Sequence, residues 1–163
     1  MIKVHLNSQL INSALARVEG QELEFRHGCI LAKVKLPVGA VSAVVIPTFR
    51  DQQLLLVIPF KEIKGNITGG FFLSKLLSVF WGFIGSQIQS AVVPKLRQYG
   101  FGTDVISHQK VKGRDGDVGE ISISLRAVNR WLEGKHPRLN LNVTEVAFGP
   151  DGADISAELK EVG

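Results

Sequence analysis

Apolar and polar residues alternate from the start of the chain, where Ile2, Val4 and Leu6 read as a short strand; the period then changes. In SQLINSALARV, the residues Leu10, Ile11, Ala14, Leu15 and Val18 recur at helical spacing. Ser8 is placed as an N-cap there, its hydroxyl accepting from a backbone N–H that the first turn leaves unpaired. Alternation returns at Leu23 and Phe25 and, after Gly28, at Ile30, Ala32, Val34 and Leu36, which predicts a hairpin. Val41 to Ile46 and Leu54 to Phe60 are two further strands, with the turn formers Pro47 and Asp51 between them.

A long apolar segment follows, GGFFLSKLLSVFWGFIGSQIQSAVVPKLRQYG. At a helical period Phe72, Leu73, Leu76, Leu77, Val79, Phe80, Trp81, Phe83, Ile84 and Ile88 cover an arc of roughly 200°, about twice what a surface helix needs. On the opposite side Ser74, Ser78, Gly82 and Ser86 form a stripe of small residues that admits a second backbone at close range. Pro94 lacks a backbone donor and biases Val93 away from helix, so the helix is expected to end or kink there. Beyond Gly100, DVISHQ alternates weakly, KGRDGDVG is a charged turn, and EISISL is a strand through Ile121, Ile123 and Leu125. RAVNRWLEG is then a short helix with Gly134 as C-cap. A final hairpin runs from Leu139, Leu141 and Val143 through GPDG to Ala153, Ile155, Ala157 and Leu159.

The two ends of the chain share a pattern. Laid without gaps, VHLNSQLINSAL from Val4 matches ISISLRAVNRWL from Ile121: Val4 falls on Ile121, Leu6 on Ile123, Ile11 on Val128, Leu15 on Leu132, and Asn12 on Asn129. In both, a strand feeds a short amphipathic helix and a hairpin follows, the signature of one strand–helix–hairpin unit present twice. With no linker between the segments, the pattern predicts one α+β domain over residues 1–163. Its expected form is a curved antiparallel sheet of about eight strands wrapped around the long apolar helix, with the two short helices in the terminal repeat.

This order of elements, with the Ile-Asn and Val-Asn pairs and a leucine three residues after each asparagine, resembles the small TULIP-like lipid-binding proteins, the YceB-like lipoprotein group among them. The resemblance implies a sheet curled around a long helix, with a lipid or other apolar molecule held between them. The chain departs from that group in having no lipobox cysteine. Its start, MIKVHLNSQL, has no basic stretch leading into an apolar one, so a cytoplasmic protein is expected as the sequence stands, and an envelope protein if a leader was removed.

Composition narrows the partners. Nineteen basic and 15 acidic residues give a net charge of +4, without the clustered Lys and Arg of a nucleic-acid surface. Lys95 and Arg97, with Lys61, Lys64, Lys110, Lys112 and Arg114, suit a cationic rim for an anionic head group or membrane surface. The single cysteine, Cys29, excludes an internal disulfide and reads as a structural thiol in an apolar stretch. Catalytic chemistry is hard to assemble. His5, His27, His108 and His136 occur singly, with no metal-ligand spacing. Asp115, Asp117 and Glu120 form an incomplete calcium loop, better read as a solvated turn, and KGNITGG lacks the ending of a phosphate loop.

The expected function is therefore non-enzymatic binding of a lipid or other elongated apolar ligand, with no cofactor and no metal. Phe72, Leu76, Val79, Phe80, Phe83 and Ile84 would line the site between helix and sheet. The competing expectation is an interaction domain with a filled core that forms a homodimer through the small-residue stripe or a sheet edge, or makes peripheral membrane contact. Phe71 to Val93 has the length of a membrane span, but Gln87, Gln89, the interior Gly and Ser positions and the closing proline disfavour insertion.

Overall fold

The computed structural model describes residues 1–15, 21–36, 39–65, 73–114 and 116–160. Of the side chains on the long helix it describes Trp81, Gly82, Gly85, Ser86, Gln89, Ser90 and those from Val92 onward. In chain order the elements are β1 (Ile2–Asn7), α1 (Ser8–Leu15), β2 (Gln21–Phe25), β3 (Ile30–Leu36), β4 (Gly39–Arg50) and β5 (Gln53–Pro59). A 3-10 turn at Phe60–Glu62 and the two-residue β6 (Lys64–Gly65) lead to α2 (Leu73–Gln98). A second 3-10 turn (Thr103–Val105), β7 (Ile106–Gly113), β8 (Gly116–Ser124), α3 (Leu125–Lys135), β9 (Leu141–Gly149) and β10 (Gly152–Leu159) complete the chain.

The class is α+β, with wholly antiparallel pairing, and its strands divide into two sheets rather than one of about eight. One sheet has the order β1-β10-β9; the other has the order β2-β3-β4-β5-β8-β7, with β6 beside β4. The division follows from long-range pairing: β1 lies against β10, Val4 opposite Ile155, instead of against the strand that follows it. β4 joins the halves of the larger sheet, since its residues up to Val45 pair with β3 and those from Ile46 pair with β5. Pro47, expected in a turn, lies inside β4 opposite Leu56. β4 has already left β3 at that point, so the missing N–H interrupts no ladder on that side. The turn falls at the other expected turn former, Asp51, with Gln52, both at positive φ (53° and 60°), as a two-residue hairpin of right-handed twist requires.

Both short helices are built alike. At the first, Asn7 Oδ1 accepts from Leu10 N at 2.8 Å; Asn7, rather than Ser8, is the cap. At the third helix Ser124 Oγ accepts from Ala127 N at 3.2 Å. The first helical residue of each then donates its N–H to a hairpin turn, Ser8 to Asp151 O at 2.8 Å and Leu125 to Gln52 O at 2.9 Å. One turn further on, an asparagine side chain holds a strand by both its groups. Asn12 Nδ2 donates to Leu23 O while Leu23 N donates to Asn12 Oδ1, at 2.8 and 2.9 Å. Asn129 makes the same pair of bonds to Val143, at 2.9 and 2.7 Å. α3 ends at Lys135 with His136 as C-cap, two residues beyond the expected Gly134.

α2 runs unbroken through Pro94 to Gln98. Its contacts gather on β7, β8 and the 3-10 turn after β5, at one side of the larger sheet. Wrapping of the sheet around this helix is an expectation that these contacts do not establish. Trp81 is the buried anchor, tilted against Phe60 with ring centroids 5.5 Å apart. Its ring lies over Gly119, where a Cβ would come within 2.6 Å of it, and its Nε1 donates to Gln109 O at 2.8 Å. One turn on, the His108 imidazole fills the space beside Gly85, and at the next Gln89 Nε2 donates to Ile106 O at 3.2 Å. Trp81, Gly85 and Gln89 therefore form the row that meets the sheet. Gly82 and Ser86, from the stripe expected to make a close approach, are exposed, and nothing lies within 4 Å of a Cβ at Gly82. No helix among the described residues is long and apolar enough to cross a membrane.

Candidate functional site

Directly opposed residues on antiparallel strands point to the same side of a sheet. Leu54, Leu56 and Ile58 of β5 thus share a face with Phe49 and Pro47 of β4 and with Ile123, Ile121 and Gly119 of β8. This is the face that receives Trp81 through Gly119. Toward the β4–β5 turn it also meets β9, where Phe148 stacks on Phe25 at 6.4 Å. The opposite face carries Val44 and Ile46 of β4, Leu55, Val57 and Pro59 of β5, and Val118 of β8. Leu55 is buried, whereas Val44, Val57, Pro59 and Val118 are half-buried and Ile46 is 38% exposed.

A concavity of about 650 Å³ opens over that second face. Its floor is Val44, Ile46, Val57, Pro59 and Val118, all branched or cyclic apolar side chains. Three turns build the rim. His27, Gly28 and Cys29 come from the turn between β2 and β3, which closes with a bond from Arg26 N to Cys29 O at 3.0 Å. Lys61 and Glu62 come from the 3-10 turn, and Gly113, Arg114, Gly116 and Asp117 from the β7–β8 turn. Gly116 has φ of 116°, and the Lys61 stem crosses it so closely that a Cβ there would lie 3.0 Å from Lys61 Cε. The arrangement is an apolar floor with a mixed, partly cationic border, suited to an apolar body with a polar end.

Lys61 and Arg114, placed by the sequence in a cationic rim, do reach this border, whereas Lys95 and Arg97 lie in the last turn of α2 and do not line it. Cys29 is half-buried at the border. Asp115 lies outside the described residues. Asp117 lines the rim, and Glu120 is buried on the concave face of β8, where Gln109 Nε2 donates to its carboxylate at 3.3 Å. Nearby, Arg26 hydrogen-bonds Glu24 at 3.0 Å and holds its carboxyl below the usual carboxylate range, with Lys33 adding to the effect. The guanidinium is pushed up in return. Among the described residues no group of three or more His, Cys, Asp and Glu side chains is placed to hold a metal ion.

Of the six residues expected to line a ligand site, Phe72 lies outside the described residues. Leu76, Val79, Phe80, Phe83 and Ile84 fall on α2, but their side chains are outside what is described. The residues described around the concavity come from strands and turns. Its floor comes from strands that were legible while their second face was not, although a signal was present. LLLVIPF has no polar position, so both faces of β5 are apolar, and a one-sided core covers only one of them.

Comparison with protein-family models, with curated proteins and with solved structures finds no match for this chain.

Proposed function

We propose that this protein binds an elongated apolar ligand, such as a lipid, without chemically altering it. The observation that carries this reading is the concavity over Val44, Ile46, Val57, Pro59 and Val118, whose volume of about 650 Å³ is that of a small-molecule site. Burying the ligand against these side chains removes apolar surface from water on both partners, at about 25 cal/mol per Å². Lys61 and Arg114 at the border suit an anionic head group. The resemblance to TULIP-like lipid binders points to the same ligand class, and the paired caps and asparagine clamps favour reading the two ends as copies of one strand–helix–hairpin unit. In that family the ligand lies between helix and sheet; here we place its floor on the sheet face away from Trp81.

The test is titration with a long-chain fluorescent fatty acid, together with native mass spectrometry of lipids carried through purification. Ile46→Glu puts a carboxylate in the floor at a position that is 38% exposed, so the fold should tolerate it while probe affinity falls at least tenfold. Unchanged affinity in this variant would move the site off the concave face, back toward Phe80 and Phe83. Absence of both probe binding and carried lipid, with a dimer that Gly82→Leu disrupts, would replace the ligand reading by self-association through α2.

A further inference from the structure

An exposed strand edge presents unpaired N–H and C=O groups that accept another strand, and proteins ordinarily block such edges. Among the described residues, three of the four outer strands take helix side chains on their backbone groups. Asn12 of α1 takes both backbone groups of Leu23 on β2, and Asn129 of α3 takes both of Val143 on β9. Trp81 and Gln89 of α2 donate to Gln109 O and Ile106 O on β7. β6 is two residues long. The fourth outer strand, β1, pairs with β10 alone among the described residues, and all of it but Leu6 is exposed.

Two further observations say what fits there. The apolar face that buries Ala153 and Ala157 on β10 continues onto β1, where Ile2 and Val4 opposite and beside them are 42% and 49% exposed. The apolar face therefore extends past its cover at Ile2 and Val4, as the face of an inner strand does when its neighbour is absent. The other end of the molecule supplies the comparison. By cap, turn contact and clamp, β8 stands to α3 as β1 stands to α1, and β8 is paired on both sides: antiparallel to β5, as β1 is to β10, and antiparallel to β7 on its second edge.

We infer that β1 is an assembly edge, and that its occupant is the β1 strand of a second copy of this chain, antiparallel to the first. Among the described outer strands of the two sheets, β1 is the one whose backbone takes no helix side chain, and pairing of this edge with the same edge of a second copy is isologous. One register keeps the faces matched over the whole strand. Val4 sits opposite Val4 of the second copy, Ile2 opposite Leu6, and Lys3 opposite His5, whose ring is already bonded to Asp154 at 2.7 Å. The two three-stranded sheets then join into one of six. This inference rests on backbone edges and is independent of the ligand proposal.

Sedimentation velocity over a range of concentrations, with hydrogen exchange on the same samples, tests it. The expected result is a monomer–dimer equilibrium in which β1 amides gain protection as concentration rises, while those of β2, β7 and β9 do not. Val4→Lys places two ammonium groups at the two-fold axis and should weaken the dimer at least tenfold; Val4 is exposed enough for the monomer to keep its circular dichroism and melting temperature. A Val4→Cys, Cys29→Ser variant should in turn cross-link as a dimer under oxidation. A monomer at every concentration, or a dimer that Val4→Lys leaves intact or in which β1 amides stay unprotected, overturns the proposal.

Discussion

Removing one asparagine clamp measures how firmly each short helix is tied to its strand. Asn129 makes two bonds to Val143, of 2.9 and 2.7 Å, and both groups are partly buried. A hydrogen bond of this kind contributes about 1 kcal/mol net, and more when its loss leaves a buried group unpaired. Asn129→Ala deletes both and exposes the Val143 amide and carbonyl on an edge that water reaches only in part. The expected loss is about 2 kcal/mol, roughly thirtyfold in the folding equilibrium, or a fall in melting temperature of about 4–8 °C for a chain of this size. Asn12→Ala should cost the same, because Asn12 holds Leu23 by an equivalent pair of 2.8 and 2.9 Å. The clamps share no partner, so the double variant should lose close to the sum. Asn129→Asp is the discriminating control. It keeps an acceptor for the Val143 N–H but sets a carboxylate against the Val143 carbonyl, so it should be at least as damaging as alanine despite its similar shape. Urea unfolding monitored by circular dichroism gives the numbers. A loss below about 0.5 kcal/mol at either site, or an aspartate variant as stable as the parent, would show that these bonds merely decorate contacts fixed by packing.

Other expectations follow from single contacts. Gly119→Ala places a methyl group 2.6 Å from the Trp81 ring and should cost about 1–3 kcal/mol by overpacking, with a change in tryptophan fluorescence, whereas Gly134→Ala, with nothing within 4 Å, should be neutral or slightly stabilising. The Glu24 carboxyl should titrate below free glutamate in an NMR pH series and return toward it in Arg26→Gln. Since folding lowers this pKa, the contribution of the Glu24–Arg26 pair is present above the unfolded carboxylate pKa and is lost as pH falls through the lowered value. Added salt should shrink it, because both partners are exposed.

Local pattern carried the elements well and their partners poorly. Alternation at Ile2 to Leu6, Leu23 to Leu36 and Ile121 to Ile123 located strands that the structure contains, because a strand's period depends only on its own two faces. Pro47 misled because it sits where β4 has already left β3, so its missing N–H interrupts no ladder on that side; Pro94 does remove one helical donor, a loss that α2 bears as it continues to Gln98. The asparagines at positions 12 and 129 were visible as a coincidence in the sequence, yet their role depends on strands that arrive later in the chain, which no local window contains. Pairing of β1 with β10 is invisible for the same reason. The concave face was hidden differently, in a strand apolar on both sides whose second face receives neither Trp81 nor β9.

The distance along the chain between β1 and β10 also sets an order of events. His5 reaches Asp154 across 149 positions, so β1 is synthesised long before the strand it pairs with. Until β10 is made, Ile2, Val4 and Leu6 lack that partner. Loop closure over such a span is slow compared with the hairpins β4–β5 and β7–β8, which join neighbours in sequence. The smaller sheet should accordingly form after the hairpins of the larger one and be released before them on unfolding, which makes β1 and β10 a single cooperative unit despite their separation in sequence.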